Sequence, residues 1–397
     1  MHVQSDVCII GDGAIGKAAA LGFAQAGLKV SLLSPAAPTA SSVAKEEWDV
    51  RVYAVNHIAQ TLLSSVKVWD ALDASRVEPV DSMVVNGDGA TAGELAFDAY
   101  GARVGTLAWI VEDRNLNQAL DAALKFASNV RIVHGRAVSL QSNDTSASVQ
   151  LANGDTLAAE LLVGADGGQS WVRAQCNIDF DYRPYGQRAI VSNFACEKPH
   201  HGVAYQWFSA AEGIIALLPL PGQRVSLVWS APETLADTLS KESLTQLAAR
   251  VTDLSMRQLG TLSPLQPEVM KSFPLSLIRP HTITAPRIAL VGDAAHVIHP
   301  LAGHGMNLGF ADVAALIKTV TERGMHRDCG DARVLSRYAR SRKEDILLMQ
   351  LATDGLARLF GTDLEPLRVV RNIGLNLVNK LPVLKRRLIG HALGKSL

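Results

Sequence analysis

The sequence predicts an α/β fold, α+β overall: a Rossmann-like nucleotide-binding domain, an inserted antiparallel-sheet domain and a helical C-terminus. Three observations predict it. A complete strand, glycine turn, helix and strand unit opens the chain. Two further short apolar runs, far along the sequence, end in Gly and Asp. The middle holds alternating apolar segments around Pro and Gly turns. With 397 residues, 48% of them apolar, there is ample core for two or three domains.

The first run is Asp6-Val7-Cys8-Ile9-Ile10, which leads straight into Gly11-Asp12-Gly13-Ala14-Ile15-Gly16. Small and apolar residues continue at helical spacing to Gly27, a C-cap candidate, and Leu28 to Leu33 supplies a second strand. That is the whole unit a G-x-G-x-x-G fingerprint requires. The first Gly permits a tight turn, the second lets backbone approach a pyrophosphate, and the third lets the helix pack on the strand. Ser34-Pro35 stands where such a second strand ends in Asp or Glu. A serine hydroxyl holds a ribose neutrally and more weakly than a carboxylate, so a loosened adenosine end is expected.

Pro35 to Ser42 has the composition of a loop. Arg51 precedes a helical pattern (Ile58, Leu62, Leu63, Val66); it either pins a diphosphate with its fork of donors or is an ordinary exposed arginine. Ser82 to Asn86 and Glu94 to Phe97 read as short strands round a glycine-rich turn, and Trp109 to Arg114 leads into a helix from Asn115 to Phe126. Val130 to Val133 and Ser146 to Leu151 read as strands, with Asn153-Gly154 as a hairpin turn.

Leu161-Leu162-Val163-Gly164-Ala165-Asp166 is a third buried strand ending in Gly and Asp, with Arg173 seven residues on. From Ile178 to Pro280, the segments Ala189–Cys196, Val203–Phe208, Ile214–Leu220 and Arg224–Trp229 read as antiparallel strands, and Leu239 to Leu259 as helical. Tyr205, Trp207, Phe208 and Trp229 suit either a hydrophobic substrate wall or simply the core of a half-buried sheet.

Ile288 to Val291 is a last apolar strand ending at Gly292, with Asp293 at its exit, then Pro300, Gly303 and Gly305, then helical spacing from Met306 to Val320. Strand, glycine loop and helix start in that order make a place for an anion or a negatively polarised ring. The strand ends at Gly11, Asp166 and Asp293 are expected to open on one crevice.

Lys+Arg and Asp+Glu are both 38, so net charge points to no nucleic acid partner. Four scattered cysteines without a C-x-x-C are the usage of a reduced cytoplasmic protein with no disulfide framework. His296 and His299 lack acidic or thiol partners at ligand spacing, so no metal site is expected. Residues 1–5 do not resemble a signal peptide, and no apolar run reaches the ~18 residues that span a bilayer. A soluble protein, at most peripheral to a membrane, is expected.

In the motifs GDGAIG (Gly11–Gly16), GADGGQSWVR (Gly164–Arg173) and GDAAHVIHPLAGHGMNLGFAD (Gly292–Asp312) the chain resembles the flavoprotein aromatic hydroxylases of the p-hydroxybenzoate hydroxylase fold. WDVRVYAV near Arg51, GIIALLPLPGQRVSLVW (Gly213–Trp229) and RNIGLNLV (Arg371–Val378) make it similar, within them, to the ubiquinone-biosynthesis hydroxylases. The resemblance covers nearly the whole length. It implies FAD as cofactor, NADPH or NADH as electron donor and O2 as co-substrate. The implied reaction hydroxylates the ring of a polyprenylated phenol or quinol through a flavin C4a-hydroperoxide. It further implies that Gly11, Gly13 and Gly16, with the intervening Ala14 and Ile15 and with Ser34, hold FAD. Arg51 and Arg114 fall at the diphosphate and ribityl region, Asp166 and Arg173 in a motif shared by FAD and the nicotinamide donor, and Asp293 at the ribityl hydroxyls. Pro300 would lie beside the oxygen-bearing flavin carbon, with Gly303 and Gly305 in the same loop and the backbone N–H groups of Met306 and Asn307 facing the flavin O2.

The chain departs from that pattern at Ser34 and at His304, where glutamine is common. His304 either fills the glutamine's space as a neutral ring or carries charge beside the flavin. The expected division is residues 1–75, 98–177 and 281–360 for FAD, residues 76–97 and 178–280 for substrate, and 361–397 as a helical tail. The basic amphipathic stretch Leu381–Leu393 either lies on an anionic membrane or partner, or is a solvated end. Expected partners are the phenol or quinol substrate, a membrane touched peripherally, and copies of the chain or other enzymes of a complex. The alternatives are a hydroxylase of a soluble aromatic and an inactive scaffold of flavoprotein form.

Overall fold

The computed structural model of the protein describes residues 2–35, 47–87, 93–266, 268–300 and 303–360, with the side chains of 2, 3, 304 and 356–360 left aside. The chain opens with β1 (His2–Ile10), α1 (Ala14–Gln25), β2 (Val30–Ser34), β3 (Val52–Val55) and α2 (His57–Ser65). Next come β4 (Val77–Val80), β5 (Ser82–Asn86), β6 (Glu94–Asp98), β7 (Ala108–Glu112) and α3 (Asp113–Phe126). Then follow β8 (Val130–His134), β9 (Ala137–Ser142), β10 (Ala147–Leu151), β11 (Thr156–Gly164) and α4 (Trp171–Gln175). The middle holds β12 (Phe180–Cys196), β13 (Val203–Ser209), β14 (Gly213–Leu220), β15 (Arg224–Pro232), α5 (Glu233–Leu239), α6 (Leu244–Leu254), β16 (Leu262–Pro264) and β17 (Lys271–Pro280). The chain returns through β18 (Thr284–Ala285), β19 (Ile288–Leu290) and a single 3-10 turn (Gly292–Ala294) to α7 (His304–Thr321) and α8 (Ala332–Phe360).

Three sheets result. The first runs β18-β19-β11-β1-β2-β8, with the β9/β10 hairpin attached to β11. Its centre is parallel: β1 lies between β11 and β2, and β11 carries β19 alongside Leu162–Gly164. Val7 to Ile10 and Leu161 to Gly164 are buried along their whole length, because helices cover both faces of a parallel sheet. α1 meets that demand with small residues: Ala18, Ala19 and Ala20 are fully buried, and a methyl group on Gly22 would collide with Ile317 of α7.

The second sheet runs β16-β12-β15-β14-β13-β5-β6, with β17 on β12. One face packs under α5 and α6, burying Trp207 and Trp229 with Leu244, Leu247 and Val251. Both tryptophans are therefore core, and the substrate-wall reading fails for them; of the bulky aromatics of β13, Phe208 points to the opposite face, among Val85, Leu95 and Ile214. That opposite face rests on the three-stranded sheet β3-β7-β4, joined through Val80, Ile110, Ala204 and Leu220. Of the helical stretch expected from Leu239 to Leu259, Leu244–Leu254 is helix, and Leu239 instead ends a separate helix that begins at Glu233. The later helix starts at a capping box in which Ser243 and Gln246 exchange hydrogen bonds, which ends any continuous helix from Leu239. Beyond Asp312 the chain is mostly helical through Phe360, broken between Thr321 and Ala332; residues 361–397, including the basic stretch, lie outside the described residues.

Candidate functional site

Gly11 leaves β1 at φ 113°, its N–H bonded to the Leu33 carbonyl at 3.1 Å. A side chain there would strike the Ala165 carbonyl, and one on Gly16 would strike the Gly11 carbonyl. Gly13 differs: a Cβ added to it meets nothing within 4 Å. It is the N-cap of α1, with no side-chain cap hydrogen bond and no acidic residue in the first turn. A helix start with uncommitted N–H groups beside an open glycine is a cradle for an anion.

The second motif meets the first directly. The Ala165 N–H donates to the Ile10 carbonyl at 2.8 Å. Asp166 is occupied by its own turn: Oδ1 accepts from the Ser170 hydroxyl at 2.6 Å and Oδ2 from the Val172 N–H at 3.0 Å. Arg173 is buried and donates to the carbonyls of Ala294 and Gly168 at 3.0 and 2.7 Å, tying the second motif to the third.

The third motif closes the crevice. The Val291 N–H bonds the Gly164 carbonyl at 3.0 Å. Ile15 of the first motif packs against Gly292 and Gly309, whose added Cβ atoms would come within 3.3 and 2.9 Å of it. Behind the turn, buried Asp312 accepts from the Gly292 N–H at 3.0 Å and from Arg342 Nε at 2.8 Å, and pairs with His296 Nε2 at 2.6 Å. Burial pushes the Asp312 carboxyl up, but the His296 and Arg342 charges outweigh it and hold it below the usual carboxylate range.

In front of the turn, Asp293 is exposed to the crevice, yet so surrounded by protein that desolvation raises its carboxyl pKa; His296 and Arg51 oppose that rise. Arg51 thus reaches Asp293 electrostatically across 242 positions of sequence (293 − 51). The short strand β3 separates Arg51 from the helix expected to follow it directly. Arg51 is exposed, and its strand is braced where the Asp113 N–H donates to the Arg51 carbonyl at 2.9 Å. Arg114, half-buried in the first turn of α3, donates to the Glu47 carbonyl.

α7 begins after Gly303 at φ 67°, where a Cβ would press on Ala54 at 3.1 Å. The Asn307 side chain fastens this helix start to β3: it donates to the Ala54 carbonyl at 2.7 Å and accepts from the Asn56 N–H at 2.9 Å. Pro300, Gly305 and Met306 are half-buried; the side chain of His304 lies outside the described residues. His299 is fully buried, with Nε2 at 2.8 Å from Gln187 Oε1 and its ring edge-on to Tyr185, and burial lowers its pKa to about 4.

One polar contact of the crevice was not anticipated. The buried Ser34 hydroxyl donates to Asp12 Oδ2 at 2.5 Å. The signal was present in the sequence. Parallel strands leaving the same sheet edge place the first loop residues beside the end of the second strand, so an acid in that loop and a hydroxyl at that end are neighbours.

Fold and crevice together define an α/β dinucleotide-binding protein whose site lies at the carboxyl ends of parallel strands. Residues 4–346 match the FAD binding domain family; the chain belongs to that family. It is 35% identical over 392 residues to the 3-demethoxyubiquinol 3-hydroxylase of Escherichia coli (strain K12), covering 98% of each chain. It is 34% identical over 394 residues to the ubiquinone hydroxylase UbiL of Rhodospirillum rubrum, covering 98% of this chain and 90% of that one. In fold it is similar to the p-nitrophenol 4-monooxygenase PnpA of Pseudomonas putida DLL-E4, with a TM-score of 0.78, 16% identity and full coverage of both. The donor set of the crevice suits FAD: the uncapped start of α1 beside Gly13 is open to a diphosphate, and the one acid of the glycine loop, Asp12, is bonded to Ser34.

Proposed function

We propose that the protein is an FAD-dependent, NAD(P)H-using monooxygenase that hydroxylates the aromatic ring of a polyprenylated phenol or quinol in ubiquinone biosynthesis. The observation that carries this is the meeting of three distant motifs at one crevice, in a chain alike over 98% of its length to a 3-demethoxyubiquinol 3-hydroxylase. Bound FAD supplies the oxygen-activating chemistry. The protein's own residues bind, orient and exclude water. Gly11, Gly13 and Gly16, with Ala14 and Ile15 between them, shape the diphosphate cradle, and Arg51 and Arg114 add positive charge near it. Asp166 acts by holding the turn that abuts Gly11, and Asp293 takes the ribityl hydroxyls. The first-turn N–H groups of α7 at Met306 and Asn307 stabilise negative charge on the flavin ring edge without supplying a proton. Pro300, Gly303 and Gly305 set how closely backbone approaches that ring.

In this reading the substrate ring lies between this loop and the body formed by residues 76–97 and 178–280; the support is the apolar character of the sheet face there, which carries Phe208 and Ile214. No helix among the described residues is long and apolar enough to cross a membrane.

The test is incubation of the FAD-loaded protein with NADPH or NADH and a short-chain demethoxyquinol under isotopically labelled O2. One labelled oxygen on the ring of the product is expected. Reduced-cofactor consumption that yields only hydrogen peroxide with every phenol or quinol tried would overturn the reading.

A further inference from the structure

The second strand of a dinucleotide-binding unit ends in an acid because a carboxylate can accept from both hydroxyls of the adenosine ribose at once. β2 ends in Ser34, which is neutral, has one proton to give, and gives it to Asp12 at 2.5 Å. Ser34 is 3% exposed, whereas Asp12 stands half-buried at the crevice between Gly11 and Gly13. A single bond from Ser34 leaves the carboxylate most of its acceptor capacity, and no other partner of Asp12 is found among the described residues. The neighbouring Gly13 has open space before it. The serine is therefore better understood as an orienting donor than as a weak copy of an acid.

We propose that Asp12, held by the Ser34 hydroxyl, is the ribose-binding carboxylate of this protein, moved from the end of β2 into the glycine loop. The proposal rests on the reading of the crevice as an FAD site. It carries a definite alternative, because a carboxylate in this loop also lies near the cradle for the diphosphate. If Asp12 does not engage the ribose, its charge repels the cofactor, and removing it tightens binding. The sign of the effect decides between the two.

The experiment titrates apoprotein with FAD and, separately, with FMN, following flavin fluorescence. Losing one charge-assisted acceptor predicts that Asp12→Asn raises the Kd for FAD about 10-fold or more. FMN has no adenosine ribose, so its Kd moves less than about 2-fold on the same scale. Ser34→Ala gives a smaller loss for FAD only. The double variant Asp12→Gly with Ser34→Glu returns the acid to the strand end and recovers most of the FAD affinity. An FAD Kd that stays level or falls in Asp12→Asn, or an equal loss for FMN, overturns the assignment. Should Asp12→Asn not fold, the double variant decides alone: FAD binding at least 10-fold weaker than wild type overturns it. Failure of the wild-type protein to bind FAD would instead sink the underlying reading of the site.

Discussion

At the scale of single residues the crevice contains glycines of two kinds. Gly16 is small because backbone occupies the place of its side chain: a methyl group would run into the Gly11 carbonyl. Gly13 is small beside empty space, at φ −68°, a conformation any residue adopts. Gly16→Ala is therefore expected to lower the melting temperature of the apoprotein by several degrees, as overpacking of about 1–3 kcal/mol does. Gly13→Ala is expected to leave that melting curve in place and weaken FAD binding instead. Thermal melts of the two apoproteins, followed by flavin titration, check the pair; equal melts would refute the distinction. His299 makes a separate prediction. Burial lowers its pKa to about 4, so between the unfolded value near 6.5 and about 4 the unfolded chain binds the extra proton. Its contribution to stability is full above pH 6.5 and is lost as pH falls through about 4, at most about 3 kcal/mol over the window. Unfolding curves of His299→Asn should be flatter than wild type across that acid range. A parallel dependence would show that His299 does not titrate there.

At the scale of elements, the turn after β19 is held by buried charge as well as by apolar packing. Asp312 and Arg342 are both buried and bonded to each other, and the Gly292 N–H shares the carboxylate. Asp312→Asn removes the buried counter-charge of the Arg342 guanidinium and leaves it only the exposed Asp345 at 2.6 Å, and breaking a buried pair costs about 3–5 kcal/mol. A large shift of the unfolding midpoint is expected, along with weaker flavin retention, since the same turn carries Asp293. Asp181→Ala breaks an exposed pair with Arg279 and is expected to leave the midpoint unmoved. Comparison of the two denaturant curves checks both. These elements also mark how much the sequence disclosed. The strands around each motif were legible because buried parallel strands are continuous apolar runs, and Asn153-Gly154 did form the β10/β11 turn. β17 was not legible. It carries Pro274 and Pro280 and pairs with β12 over a register shift between Pro184 and Arg188, and neither feature has a period-two signature. Trp207 and Trp229 looked equally suited to a pocket and to a core, because alternation reveals that a residue is on a face but not which face is covered by helices.

At the scale of the whole molecule, the crevice is a meeting of three segments that separate on unfolding. Arg173 bonded to Ala294, Ile15 against Gly292, and Ala165 bonded to Ile10 make each motif a support of the other two. Binding to such a junction stabilises all of its parts by mass action, about 2.7 kcal/mol at a hundredfold excess over Kd. Hydrogen exchange should accordingly slow on FAD addition in Gly11–Gly16, Gly164–Arg173 and Gly292–Asp312 together, and by similar factors. The β9/β10 hairpin hangs on the other end of β11 and should exchange as before. Protection confined to the first motif would mean that the N-terminal βαβ unit binds the nucleotide alone. In that case the convergence of the three motifs would be architecture rather than a site.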